Sequence, residues 1–592
     1  MTRTWVLFAL LPAIVGATSQ TPLIASSWSH TAPKPTNQFK WPIRRVAIIG
    51  AGPGGLISYR ELSDAGFNVH VYERDNSPGG NWHYTEETPV DAPVPNVDIS
   101  VGDYTPSLPP KGVKYPYVEE YHNKSVASQL RRAHRAPKPV WASLKSNAPA
   151  PIQQIRELPW PKGTPWELPH RKLIQYLRAF ASWHGINNND GSPNISYNTR
   201  VELVEKRYNE DGNEVGWTLT LKTVVQTGPS TTTATWTQEA FDAVVVATGR
   251  YNAPNIPNIE GLEEWAKRFP DHISHSRQYR RPQPYANKTV LIVGAATSGG
   301  EISRDINPYA NTIYQSIRPD KATVPHFNLS LFFHRLPLNT TVVPEIKRFH
   351  APGSHFKDGR VELVNGTVLT GIDHIIFGTG FRYTYPFLPQ YHNSSLGLND
   401  TIPRGEGIQP IVTDGTHLRS LYLDSFYIEE PTLAFVNVNF GLQSFTYAEF
   451  VSLAVAKVWA GKADFPSTPE LWKRYDEIVE ERKGYGRHFQ FLGAERTQNN
   501  LRFFQGWLND AAAKYGGRQI DGLPKELEEI SRIWTTVRFG APIYFANTLN
   551  TLINGNLSSF GINEQVLEGP GSGLSQEEYE TLAHDSVYND YW

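Results

Sequence analysis

An α/β fold is predicted, with two strand–turn–helix modules and a helical C-terminal region. Three observations predict it. Arg45 to Trp82 reads RVAIIGAGPGGLISYRELSDAGFNVHVYERDNSPGGNW, an apolar strand, a glycine turn, a helix and a second apolar strand in succession. Lys288 to Ile302, KTVLIVGAATSGGEI, repeats the first half of that order. Helical patterning returns at Pro469 to Lys483 and Leu501 to Lys514.

In the first module, Val46 to Ile49 is an apolar run with the character of a buried parallel strand. Gly50, Gly52 and Gly55, with Gly54 among them, hold the G-x-G-x-x-G spacing of a Rossmann-like turn. The first glycine permits the tight turn, the second lets backbone approach a pyrophosphate, and the third lets the helix pack on the strand. The helix carries Leu56, Tyr59 and Leu62 on one face and stops at Gly66. The next strand, Val69 to Tyr72, ends on Glu73, placed to accept hydrogen bonds from a ribose hydroxyl. In the second module Gly294, Ser298 and Gly299 keep the spacing around Thr297, but Ala296 holds the middle glycine position. Its strand Thr312 to Ile317 ends at Arg318. His170 to His184 is an amphipathic helix, and Phe241 to Arg250 is a buried strand ending in Ala247-Thr248-Gly249.

The remaining composition narrows the class. The 592 residues carry a net charge of -2, which gives no electrostatic reason to expect nucleic acid as a partner. Met1 to about Ala17 reads as an export signal, with Arg3, the apolar run Val6 to Val15, and Val15-Gly16-Ala17 suited to cleavage. That run is shorter than the roughly 20 residues that span a bilayer, and no later stretch reads as a membrane helix. Residues 18–40 read as an unstructured mature N-terminus. Nine N-x-S/T sequons, at Asn123, Asn194, Asn287, Asn328, Asn339, Asn365, Asn393, Asn399 and Asn556, agree with a secreted or lumenal glycoprotein. Cysteine is absent and Met1 is the sole methionine. Removal of readily oxidised side chains and simple drift in composition both account for this. Residues 85–140 have little periodicity, the mark of a long irregular loop serving as a lid or substrate shield.

Pro78-Gly79-Gly80-Asn81-Trp82, just past the acidic residue, has no use in a plain nicotinamide dehydrogenase. At this point the chain resembles the flavin-containing monooxygenases, in which such a motif continues the wrap around FAD. Trp141 to Pro161, WASLKSNAPAPIQQIRELPWP, is similar to the segment that holds that family's catalytic asparagine, and Asn147 falls on it. Phe269, His275 and Tyr279 match the family's linker fingerprint, with Asp271 in place of its glycine. The alternative for His275 is a satisfied structural histidine, which even in the family it partly is. His272 and His275 have no companions at metal spacing, so no metal is expected. Gly378-Thr379-Gly380-Phe381 resembles the family's second return crossing, and the strand at Val201 its adenine contact.

The resemblance covers roughly residues 43–465 and implies FAD and NADPH as cofactors, with the NADP-binding module inserted into the FAD domain. The FAD domain is then expected at 41–280 and 373–465, the NADP domain at 281–372, and a helical extension at 466–592. It implies FAD contacts from Gly50, Gly52, Gly54, Gly55, Glu73, Gly80, Asn81, Trp82, Val201 and Thr248. NADP contacts fall to Gly294, Thr297, Ser298, Gly299, Ser316 and Arg318, with Arg318 gripping the 2′-phosphate, and Gly380 is a further cofactor contact. Asn147 is implied as the neutral donor that holds a flavin C4a-hydroperoxide and retained NADP⁺ while oxygen passes to an amine nitrogen or sulfur. The substrate is a small molecule or peptide-derived metabolite, used with molecular oxygen. Three alternatives stand beside this reading: a secreted flavin oxidase that needs no nicotinamide, suggested by export and Ala296; a Baeyer–Villiger-type monooxygenase; and a non-catalytic flavoprotein.

Overall fold

The computed structural model describes residues 39–318, 336–337, 340–524, 527 and 530. The export signal 1–17, most of the 18–40 stretch, the sequons at Asn328, Asn339 and Asn556, and the chain from 531 onward lie outside the described residues.

The first module forms as its sequence predicts. Strand β1 (Arg45–Ile49), helix α1 (Pro53–Asp64) and β2 (Asn68–Tyr72) follow one another, with β1 parallel to β2 in the register Val46↔Val69 to Ile49↔Tyr72. Near-continuous apolar residues in β1 are explained by burial of both sheet faces.

An inserted run carries β3 (Tyr117–Tyr121), helix α2 (Lys124–Arg135), helix α3 (His170–Trp183), β4 (Ile195–Ser196), β5 (Thr199–Tyr208), β6 (Glu214–Gln226) and β7 (Thr232–Phe241) before β8 (Ala243–Val246) returns beside β1. Strands β3, β7, β6 and β5 make a separate antiparallel sheet. Residues 85–140 are therefore not one irregular loop. β3 extends this sheet, and Asn123 caps α2 by accepting from the Ser125 and Val126 amides. The signal is weak in sequence because this order rests on contacts far along the chain. Tyr104 donates to the Val201 carbonyl at 2.7 Å, and Arg280 donates to the Glu87 and Lys138 carbonyls.

A short pair, β9 (Ala253–Pro254) with a later strand, and helix α4 (Leu262–Arg268) lead to the second sheet. This comprises β10 (Ile273–His275), β11 (Thr289–Val293), β12 (Thr312–Ser316), β13 (Thr341–Val343) and, after an antiparallel trio β14–β16 within residues 346–369, β17 (His374–Phe377). The strand order is β10-β17-β11-β12-β13, every pair parallel, with helix α5 (Thr297–Ile306) following β11. The sheet takes in strands on both sides of the expected 281–372 span, because the linker strand Ile273–His275 and the return strand His374–Phe377 pair with each other. β18 (Phe381–Arg382) then pairs with β9 and ties the two return crossings together.

The chain re-enters the first sheet through β19 (Leu421–Tyr422), β20 (Phe426–Tyr427) and β21 (Leu433–Phe435), giving the order β19-β20-β21-β8-β1-β2-β4. Helix α6 (Ser444–Trp459) is buried along almost its whole length and packs against α1, where the Ser58 and Ser452 hydroxyls meet at 2.9 Å. A buried ionic joint crosses the same interface. Arg60, 2% exposed, lies 3.0 Å from Glu61, 2.8 Å from Glu157 and 3.2 Å from Glu449 of α6. Helices α7 (Thr468–Glu481) and α8 (Gly493–Tyr515) realise the expected helical extension. α7 begins at a Ser467–Glu470 capping box. α8 buries Leu501, Phe504 and Leu508 in the core shared with Tyr447 and Phe450 of α6, so it covers the outer face of the FAD-type domain. No helix among the described residues is long and apolar enough to cross a membrane.

Candidate active site

The first turn is assembled by backbone. The Gly50 amide donates to the Tyr72 carbonyl at 2.8 Å, and the Ala51 amide donates to the buried Glu73 carboxylate at 2.7 Å. A Cβ on Gly50 would stand 2.8 Å from the Ala247 carbonyl oxygen, and one on Gly55 would stand 1.8 Å from that of Gly50. Those two glycines serve the close packing of strand, turn and helix. Gly52 differs. Its φ of -73° suits any residue, and an added Cβ would meet only the Gly80 backbone, at 3.5 Å or more. The protein itself does not require glycine there, whereas a diphosphate laid against the start of α1 would. The residues fit FAD on this ground, and Glu73 stands beside the turn with its two carboxylate oxygens accepting from the Ala51 and Asp75 amides.

The Gly79-Gly80-Asn81-Trp82 segment joins this turn. The Gly79 amide donates to the Ala51 carbonyl at 2.9 Å, and Gly80 lies against Gly52. Thr248 follows β8 beside Gly50, and the Thr199 amide at the start of β5 donates to the Glu73 carbonyl at 2.8 Å, which brings the Val201 strand to the same end of the sheet. Beneath Glu73, Asp75 gathers Arg135 at 2.6 Å and His83 at 3.1 Å. Burial alone would raise the Asp75 carboxyl, but His83, Lys138 and Arg135 hold it well below the ordinary range.

Sequence reasoning missed Asn437. It has a left-handed φ of 61° at the turn between β21 and α6, a conformation that asparagine tolerates better than most residues. With its amide oriented to satisfy both neighbours, Oδ1 accepts from the Gly54 amide at 3.3 Å and Nδ2 donates to the Ser444 carbonyl at 3.0 Å. The N-termini of α1 and α6 are thus pinned together. An asparagine in the apolar context VNVNF was the available signal.

The second turn repeats the first. The Gly294 amide donates to the Ser316 carbonyl at 2.8 Å, a Cβ on Gly294 would stand 2.8 Å from the Gly378 oxygen, and one on Gly299 would stand 2.1 Å from that of Gly294. Ala296 has φ -70° and ψ -165°, nearly the backbone of Gly52, so its methyl group projects from the position where the first module has none. Thr297 and Ser298 open α5. Ser316 is buried, and its hydroxyl donates to the Pro344 carbonyl at 3.1 Å. Arg318 is 71% exposed, with Glu345 no nearer than 3.8 Å.

His275 joins linker to crossing. Nε2 donates to the Gly380 carbonyl at 2.9 Å while Nδ1 accepts from the Arg277 amide at 3.1 Å. Burial pushes its pKa down to about 3, so it is neutral and structurally satisfied. Asp271 takes the family's glycine position in a short 3-10 turn and needs no left-handed backbone. Asn147 is exposed, next to buried Ser146, whose hydroxyl accepts from the Ala148 amide at 3.1 Å. Its segment is tied to the start of α3 through the His170 amide on the Leu144 carbonyl, and the His170 ring packs on Tyr84, two residues past Trp82.

Comparison with known proteins settles the family. Residues 132–324 match a model described as flavin-binding monooxygenase-like, and residues 48–119 match one for an NAD(P)-binding Rossmann-like domain. The flavin-containing monooxygenase iboF of Amanita muscaria is 55% identical over 513 residues, 85% of this chain and 95% of that protein. The chain belongs to the flavin-containing monooxygenase family. A second member, ustF2 of Aspergillus flavus, is 32% identical over 79% of this chain and 92% of its own. The S-allyl-L-cysteine S-oxygenase of Allium sativum shares the fold, with a TM-score of 0.58 at 22% identity over 88% of this chain and 99% of that one. Membership makes the chain a flavoprotein monooxygenase with FAD and NADPH as its cofactors.

Proposed function

We propose that this monooxygenase draws its electrons from NADPH and transfers one oxygen atom to an amine nitrogen or sulfur of a small molecule or peptide-derived metabolite. The observation that carries the NADPH reading is the second glycine turn, which repeats three backbone contacts of the first and is followed, just past its second strand, by an exposed arginine. A soft nucleophile is favoured by a further relative, the thiol-specific monooxygenase of Saccharomyces cerevisiae, 25% identical over 66% of this chain and 72% of its own. Bound FAD supplies hydride acceptance and oxygen activation. The chain's residues position it: the α1 N-terminus and Gly52 seat the diphosphate, Glu73 takes the ribose, and the 79–82 segment continues toward the ring. Asn147 contributes a neutral side-chain amide as hydrogen-bond donor.

The test is anaerobic titration of the FAD-loaded protein with NADPH, followed by bleaching of flavin absorbance. Stoichiometric bleaching is expected. Arg318→Ala should weaken NADPH about ten- to hundredfold, the loss of a charge-assisted paired contact, and leave NADH nearly unchanged. The methyl group of Ala296 favours a second reading, an oxidase that reduces its flavin with substrate alone. Bleaching by substrate without nicotinamide would establish that one instead.

We also propose that the chain acts in the secretory pathway or outside the cell. Asn123, Asn287, Asn365 and Asn399 are exposed and open to glycosylation, whereas Asn194 donates to the Tyr59 hydroxyl and is half-buried. Endoglycosidase treatment of protein from its native source should lower its mass. An unchanged mass would count against export.

A further inference from the structure

The segment joining α7 to α8 reaches back to the second module. Its Arg487 donates from Nη1 to the Thr379 carbonyl at 3.3 Å. Thr379 is not a remote anchor. A Cβ on Gly294 would stand 2.8 Å from the Gly378 oxygen and 3.7 Å from the Thr379 Cα, and one on Gly378 would stand 2.8 Å from the Gly299 Cα. Arg487 therefore stands beside the glycine turn and the start of α5, where the first module keeps its diphosphate cradle.

The guanidinium has no carboxylate within ion-pair distance among the described residues, and its side chain is exposed. Its pKa is lowered by burial of part of the side chain and by the neighbouring guanidinium groups of Arg318, Arg250 and Arg382, with Asp414 as the opposing acid. Arg250 has its own seat, 3.9 Å from the centre of the Phe440 ring and bonded to the Tyr383 hydroxyl at 3.0 Å. Among the described residues Arg487 has no carboxylate partner and Arg318 has only Glu345, at 3.8 Å. Such an arrangement suits an anion arriving between them.

The segment holding Arg487 is firmly fixed. Buried Arg482 pairs with Asp424 at 2.9 Å and donates to the Phe489 carbonyl at 2.7 Å, and the His488 ring nitrogen Nε2 donates to the Arg482 carbonyl at 2.9 Å. Gln490 bonds to both the amide and carbonyl of Leu418. An exposed cation on so rigid a mount arrives pre-positioned, with little ordering left to do on binding.

We propose that Arg487 binds the diphosphate bridge of the nicotinamide dinucleotide, so that two arginines divide its phosphates: Arg318 takes the 2′-phosphate and Arg487 the bridge. The assignment rests on the nicotinamide reading above. It gives the C-terminal region a part in nucleotide binding, and it supplies positive charge at the turn where the methyl group of Ala296 crowds backbone contact.

Equilibrium titration of the oxidised, FAD-loaded protein with NADP⁺ and with NAD⁺, read by tryptophan fluorescence with no substrate present, tests it. Arg487→Ala should weaken both nucleotides by a similar factor, about ten- to hundredfold, with flavin content and melting temperature unchanged. Arg487→Lys should recover part of the loss. Arg318→Ala should instead weaken NADP⁺ selectively. Unchanged binding in Arg487→Ala would overturn the assignment, as would a loss confined to NADP⁺, which would move Arg487 to the 2′-phosphate. An effect appearing only when an anionic substrate is added would assign the guanidinium to that substrate and overturn the proposal. If the wild-type protein binds neither nucleotide, the nicotinamide reading falls first and this inference with it.

Discussion

Gly52→Val should yield folded protein without flavin. The backbone at Gly52 is extended, and the first atom of a side chain there meets only Gly80 at ordinary contact distance, so the polypeptide accepts it. What it displaces is the FAD diphosphate from the place where the α1 amides and helix dipole would face it. The purified variant should be colourless, with wild-type secondary structure by circular dichroism. Gly55→Ala is the informative contrast: its Cβ would stand 1.8 Å from the Gly50 carbonyl oxygen, so strand and helix must separate and the fold itself should fail. A yellow, fully loaded Gly52→Val protein would remove the first turn from the cofactor site.

Asn147→Ala should separate the two halves of the proposed reaction. Reduction by NADPH depends on the second module, so anaerobic bleaching should keep near its wild-type rate. In the proposed mechanism the lost amide is the neutral donor at the oxygen-reacting end of the site. Removing one preorganised donor of this kind typically costs about 2.7–4 kcal/mol, roughly a hundred- to a thousandfold. NADPH oxidised in air should then appear as hydrogen peroxide, with substrate left unoxidised. Peroxide yield and product yield, measured against NADPH consumed, decide the matter. Wild-type coupling in the variant would leave Asn147 a turn residue and strengthen the oxidase reading.

Much of this architecture was legible because its signals are local. Each glycine turn follows an apolar strand within a few residues, and β1, α1, β2, β11 and α5 lie where that order put them. Arg318 and Glu73 were singled out as candidates by their place at strand ends. Three features were not. Residues 85–140 fold through polar contacts to partners far along the chain, such as Tyr104 on Val201 and Arg280 on Glu87, and such pairings leave no period in a sequence. The second sheet gains Ile273–His275, a strand too short to register as one. Arg487 lies 108 residues beyond Thr379 in a stretch without a motif, and only the folding-back of the C-terminal region brings them together.

The joint between α1 and α6 bears on when the cofactor arrives. The Asn437 amide fixes the two helix starts relative to each other, and the Ser58–Ser452 pair with the Arg60–Glu449 ion pair holds the helix bodies together. Conformational entropy at the cradle is then spent during folding rather than during capture of the nucleotide. The consequence is a chain that can complete its fold first and be charged with flavin afterwards, as a finished receptor rather than a polypeptide that needs its ligand as a template.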